Sequence, residues 1–216
     1  MAMTLAVATC AFLLSIVFGT IFASAKLSRF RALQIAGDIY TTVLRGIPEL
    51  LVIYLVFFGG GSVLRSIATS LFGFEGYIDL PVFAIGVLCI GVSAGAYSTE
   101  VIRGAVLTIQ KGEIEAARAV GMTMALRFRR ILVPQAARFA LPGLGNVWQF
   151  ALKDTALISI VSLVEIMRTA AIGAASTKEP FTFYITAFCL FLFLASISNR
   201  GFRMAESWAE RGVRRE

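Results

Sequence analysis

Three stretches of the chain carry no Asp, Glu, Lys or Arg: residues 1–25, 80–99 and 181–199. About 20 consecutive apolar residues take a helix across a bilayer, so each stretch predicts a membrane span. Two further runs are apolar but interrupted. Residues 46–64 hold Glu49, with Pro48 near the start and Gly59-Gly60-Gly61 near the end, and residues 139–164 hold Lys153 and Asp154. The runs are solidly apolar rather than alternating, which argues against the strands of about ten residues that build membrane β-barrels. The pattern predicts an all-α polytopic membrane protein with five transmembrane helices, at about 3–25, 47–62, 81–101, 140–162 and 181–200. No fixed-period repeat or Pro/Ser-rich linker divides the chain, and a single domain over residues 1–216 is expected.

Charge adds an orientation. Sixteen Lys and Arg residues fall in segments 26–45, 103–138 and 200–216, and three fall in 61–80 and 165–180. The positive-inside rule then places the N-terminus outside and the C-terminus in the cytoplasm. The net charge of +7 thus reads as topology and not as affinity for nucleic acid. Ala23-Ser24-Ala25 imitates a signal-peptide cleavage site, but no Lys or Arg precedes the apolar run, while Lys26, Arg29 and Arg31 follow it. A retained first span is expected.

Composition excludes several chemistries. The chain is 58% hydrophobic and 15% charged, against about 45–50% and 25% in soluble domains, which excludes an ordinary soluble enzyme. It contains no histidine, so it has no His-based triad, imidazole base or His metal ligand. Cys10, Cys89 and Cys189 fall one in each clear apolar run without C-x-x-C spacing, the pattern of packed or lipid-facing residues rather than of redox or zinc chemistry. The glycine cluster is followed by Ser62 and Val63 instead of Lys, so no P-loop is present. Neither cofactor nor metal is expected, and the chain is not expected to be an enzyme.

The connection between the third and fourth spans is patterned. Ile114, Ala117, Gly121, Met124, Phe128 and Ile131 recur at steps of three and four, the spacing of one helical face, with Glu113, Glu115, Arg118, Arg127 and Arg130 on the other side. Gly121 interrupts the pattern and Thr123 is placed to cap the helix after it. Two short helices are predicted, about 113–120 and 123–133, closed by Pro134. From spacing alone, this helix–Gly–helix knuckle suits either docking in a partner's groove or lying flat on anionic lipid.

Glu115-Ala116-Ala117, three residues, Gly121, nine residues, Ile131, two residues and Pro134 resemble the EAA loop of membrane subunits of ABC importers. Arg45-Gly46-Ile47-Pro48-Glu49-Leu50 resembles the R-G-x-P-x-L start of the second span in such subunits. Residues 96–104, which read A-Y-S-T-E-V-I-R-G, resemble the A-Y-x-x-E-x-x-R-G end of the third, and residues 152–157, which read L-K-D-T-A-L, match the L-K-x-T-[SA]-L of the fourth. Four ordered motifs over essentially the whole chain identify it as similar to permeases for polar amino acids, most closely the histidine/lysine/arginine/ornithine and octopine/nopaline branch. The chain departs from such permeases in starting almost inside its first span, which predicts either a start codon further upstream or a first helix short on its outer side.

The resemblance implies a permease subunit in a bacterial cytoplasmic (inner) membrane. Its partners would be an ABC ATPase dimer, a sister permease subunit, an extracytoplasmic solute-binding protein, membrane lipids and an amino acid substrate. The loop, about 113–134, would couple to the ATPase through Glu115, Ala116, Ala117, Arg118, Gly121 and Pro134. For the substrate path, Lys153 and Asp154 stand out, since a charge at mid-span costs roughly 2.5–3.5 kcal/mol and usually faces a bundle interior or water. Adjacent residues point about 100° apart, so the two cannot simply neutralise each other. Either Lys153 or Asp154 lines the path with Thr155 and Asn146, or the pair is structural, held by Glu49, Glu100 or the sister subunit. Glu100 and Arg103 read first as a structural pair, with substrate contact at Glu100 as the alternative. Pro48 and the stretch 142–145 would bend the starts of spans, unless the glycines there serve close helix packing. Residues 200–216 would form a solvated or lipid-facing helix, with Arg203, Arg211, Arg214 and Arg215 snorkelling and Trp208 at the interface. Rival functions are a permease for another small solute (a neutral amino acid or osmolyte), a stand-alone channel or secondary carrier, and a membrane scaffold.

Overall fold

The computed structural model describes residues 1–60, 63, 66, 69–70 and 81–210. The described residues fold as helices without strands: α1 Ala2–Lys26, α2 Arg31–Gly46, α3 Glu49–Tyr54, α4 Val82–Thr108, α5 Lys111–Ala119, α6 Met124–Arg127, α7 Val133–Asp154, α8 Ile166–Thr177 and α9 Pro180–Ala209. Three of them, α1, α4 and α9, are long and apolar enough to cross a membrane by themselves. Two bent pairs raise the number of candidate spans to five: α2 with Glu49–Gly59, bent by 103°, and Met124–Val161 with α8, bent by 48°.

Small side chains hold α1 against α4. The buried face of α1 is Thr4, Val7, Ala8, Ala11, Ser15, Gly19 and Ala23, and α4 meets α1 with Gly91 against Leu14, Gly95 against Phe18 and Ser98 against Gly19. Lipid tails are as apolar as leucine, so membrane helices associate by close packing and polar contacts, which small residues permit. Ser15 Oγ and Ser98 Oγ lie 3.2 Å apart within this interface. A Cβ on Gly19 would stand 2.6 Å from Ser98 Cβ and 3.1 Å from the Ser98 backbone carbon, both fixed atoms. Gly19→Val is expected to destabilise the purified permease by about 1–3 kcal/mol, the range for overpacking, read by thermal unfolding in detergent. Deeper, Val7, Ile53, Ile85, Cys89, Ile90, Ala151 and Ile158 form one apolar cluster. A second gathers Ala8, Leu152, Ile166, Ala170, Ala187 and Leu194.

Several local expectations are corrected. Segment 26–45, read as a connection from its charges, contains α2, whose inward residues are Gln34, Gly37, Tyr40, Thr41 and Leu44 while Ile35, Ile39 and Val43 are exposed. The inward side mixes small and polar residues with Tyr40 and Leu44, and several large apolar residues face outward among charged ones, so a count of charges missed the helix. Segment 165–180 likewise contains α8. The left-handed backbone of Ser162 (φ 71°) ends the preceding 3-10 turn, Thr155–Val161, and the Glu165 carboxylate accepts the Arg168 N–H at 2.7 Å to start the next helix. Pro134 does not close a helix. It sits at the second position of α7, directly after a π-helical turn, Phe128–Leu132, that absorbs the carbonyl clash a proline ring creates. α7 also runs through Pro142 without a break. Gly143 serves close approach instead, since a Cβ there would lie 2.6 Å from Val101 Cγ1. Residues 200–209 are helical as expected, in continuation of α9, with Arg203 and Trp208 exposed. The end of the second expected span, with Gly61, and Arg211, Arg214 and Arg215 lie outside the described residues.

Candidate functional site

The knuckle begins where α5 ends. The Met122 N–H reaches Ala117 O at 3.0 Å and the Gly121 N–H reaches Arg118 O at 3.0 Å, with Gly121 at φ +78°. This is a Schellman ending, which needs a left-handed residue at the position Gly121 holds. The Thr123 hydroxyl then accepts the Leu126 N–H at 3.4 Å and caps α6. Gln135 Nε2 donates to a Glu113 carboxylate oxygen, tying the start of α5 to the start of α7 across the turn.

The expected apolar stripe does not lie on one buried face. Ala117 is 5% exposed, but Met124 is 81% exposed and Phe128 is also bare. The fold at Gly121 instead wraps Ile114, Arg118, Met124, Arg127, Phe128 and Ile131 around a hollow of about 240 Å³. Glu115, Ala116, Arg118, Gly121 and Pro134 are exposed, and only Ala117 of the six expected coupling residues points inward. Glu115 and Arg118 form no ion pair among the described residues.

A second constellation joins α1, α2 and α4. Lys26 Nζ lies 2.5 Å from Glu100 Oε1 and 2.9 Å from Asp38 Oδ1, and donates to Thr41 Oγ1 at 3.0 Å. Glu100 Oε2 receives the Arg103 guanidinium at 2.9 Å. Glu100 and Arg103 are therefore paired, as their spacing predicts, but Lys26 is the centre of the group, and sequence reasoning counted it only as a topology marker. Its signal was its place as the first charge after an uncharged run.

The substrate-path candidates separate. Asn146, Phe150 and Lys153 are exposed at steps of four and three along α7 and share one face. Lys153 Nζ sits 4.8 Å from the centre of the Phe150 ring. Beside it, Ala156, Met167, Tyr184, Phe188 and Phe191 line an open hollow of about 400 Å³. Asp154 is half-buried on the next face, within electrostatic range of Glu49 and Lys153. Thr155 is only 1% exposed and its hydroxyl donates to Leu152 O at 2.7 Å, so it does not share the open face. Glu100 stands apart, in the Lys26 group. Among the described residues no three His, Cys, Asp or Glu side chains could hold a metal.

Comparison with known proteins agrees with this architecture. The chain is 69% identical over 212 residues to the nopaline transport system permease protein NocQ of Agrobacterium fabrum, covering 98% of this chain and 90% of that one. It is 56% identical over 214 residues to the octopine transport system permease protein OccQ of Rhizobium radiobacter, covering 99% and 90%. In structure it is similar to a chain of an amino acid ABC transporter crystallised with histidines, at a TM-score of 0.79 and 28% identity, over 96% of this chain and 91% of that one. Residues 15–203 match the model of a transporter family. The chain belongs to that family, the binding-protein-dependent transport system inner membrane components, and is a membrane permease subunit of an ABC importer rather than an enzyme.

Proposed function

We propose that the chain forms the translocation path for an opine-type or basic amino acid in a bacterial inner membrane, driven by a separate ATPase. The observation that carries the substrate class is the 69% identity to a nopaline permease along 98% of the chain. Folded as one domain, it crosses the membrane five times, with each bent pair as one span, the N-terminus outside and the knuckle in the cytoplasm. A solute-binding protein delivers the substrate outside. A sister permease completes the path, and an ATPase dimer seats Glu115, Ala116, Ala117, Arg118 and Gly121 near Pro134. Exposure of five of those six residues supports this use.

Within the path, Lys153 receives the substrate carboxylate and Asp154 its cationic group, and Asn146 adds a neutral donor and acceptor on the Lys153 face. The burial of Thr155 and the pairing of Glu100 support structural roles for those two. In proteoliposomes holding the assembled importer with its binding protein, Lys153→Gln is expected to raise the nopaline concentration for half-maximal uptake about tenfold, the loss of a charge-assisted hydrogen bond of about 1.5 kcal/mol. Asp154→Asn should weaken uptake of cationic substrates more than of neutral ones. Unchanged preference in Asp154→Asn would remove Asp154 from the path, and ATP-independent flux through the isolated chain would overturn the importer reading.

A further inference from the structure

Between α7 and α9, at the end of the helices nearest the knuckle, the surface carries a two-part groove. Its first part, about 660 Å³, is lined by Pro134, Ala137, Arg138, Leu141 and Trp208. Its second part, about 360 Å³, is lined by Phe12, Trp148, Ser198, Gly201 and Phe202, and Ala205 is a wall of both. Arg138 and Trp148 are ten residues apart on α7, about 15 Å at 1.5 Å per residue, which is half of a hydrocarbon core about 30 Å thick. The groove therefore has the length of one leaflet, a cation at one end and an aromatic, apolar lining at the other.

Arg138 has no counter-ion on the protein among the described residues. Its Nε is buried without a hydrogen-bond partner, and it forms no ion pair there, including with Glu206 on α9. No acceptor of the described chain satisfies that Nε, so the guanidinium is not tied into the protein's own hydrogen bonds there. The planar guanidinium fork matches a phosphate. Trp208, 70% exposed at the rim, has the amphipathic ring favoured at headgroup depth. Basic pockets between membrane helices are suited to anionic lipid headgroups.

We propose that this groove binds one anionic phospholipid, with its phosphate on Arg138 and an acyl chain along Phe202, Gly201 and Trp148. The proposed membrane orientation decides only the leaflet, the cytoplasmic one, and lipid binding in detergent is measured independently of transport. Gly201 supplies a second probe, because a Cβ there meets nothing within 4 Å, so a larger side chain enters the groove without a clash.

The test is native mass spectrometry of the assembled importer in neutral detergent, titrated with dioleoyl phosphatidylglycerol or with dioleoyl phosphatidylcholine of identical tails. Phosphatidylglycerol should bind about fivefold more tightly, the effect of one well-placed Arg. Arg138→Gln should erase that preference and leave phosphatidylcholine binding unchanged, and Gly201→Leu should weaken both lipids. The intact mass in the same spectra reports assembly, and if Arg138→Gln does not assemble, Gly201→Leu decides. Preference that survives Arg138→Gln, binding that Gly201→Leu leaves intact, or displacement of the lipid by equimolar inorganic phosphate would overturn the proposal. So would cross-linking of Trp208→Cys to the ATPase or the sister permease, since a protein would then cover the groove.

Discussion

Replacing Gly121 with aspartate is expected to leave the permease folded in the membrane and to reduce co-purifying ATPase at least about tenfold. The reason lies in two separable costs. A non-glycine residue at φ +78° costs about 1 kcal/mol, and Asn and Asp bear this better than most, so the local turn survives. No atom lies within 4 Å of a Cβ at this position, so the chain itself offers no steric objection. Any larger effect must arise where another surface presses on the exposed tip, and there an unpaired carboxylate would be buried at a cost of several kcal/mol. Gly121→Ala and Gly121→Asn divide the contributions: Ala tests the backbone, and Asn adds the volume of Asp without its charge. The expected ATPase recovery falls from glycine through alanine and asparagine to aspartate. Undiminished recovery with aspartate would remove the knuckle tip from the ATPase interface.

The second large effect is expected at Glu100. The Lys26 side chain is 12% exposed and that of Glu100 23%, whereas Asp38 is 63% exposed and can offer only a screened charge. Glu100→Gln would leave Lys26 and Arg103 facing each other with one solvated carboxylate between α1 and α2. Removing one partner of a fully buried pair costs about 3–5 kcal/mol, and partial exposure brings the expected loss here to about 2–3 kcal/mol. Lys26→Met alone should be similarly harmful because it strands Glu100. The double variant should be less destabilised than the sum of the two, and the shortfall, measured by thermal unfolding in detergent, is the coupling between the helices. Strict additivity would mean that Lys26 and Glu100 do not stabilise each other.

Legibility in the sequence tracked how local each signal was. The three uncharged runs became α1, α4 and α9, because length and apolarity suffice to define a helix in lipid. The turn at Gly121 and the cap at Thr123 were legible for the same reason: both depend on backbone conformation over four or five residues. Helix α2 was not, because residues such as Gly37 and Thr41 face the protein while Ile35 and Ile39 face outward, the reverse of the pattern that marks a soluble amphipathic helix. The Lys26 group joins residues 26, 38 and 100, and no periodicity links positions that distant. On α7, the sequence grouped Asn146, Lys153, Asp154 and Thr155 as path candidates without assigning them to faces. It could not reveal that Thr155, two residues beyond Lys153, enters a 3-10 turn and turns inward.

The packing of α1 on α4 has a mechanical consequence. Two helices meshed through Gly19, Ser15 and Ser98 leave no free volume between them for sliding, because a dense interface moves only as a block. A force delivered at the knuckle by the proposed ATPase contact would enter α4 through the short link between Thr108 and Lys111 and would carry α1 along with it. The backbone is bent at Ile47-Pro48, before the 103° turn into α3, and at Ser162, before the 48° turn into α8, which sets those elements apart from the α1–α4 block. Under such a load α1 and α4 would act as one stiff element, with its small residues setting the stiffness.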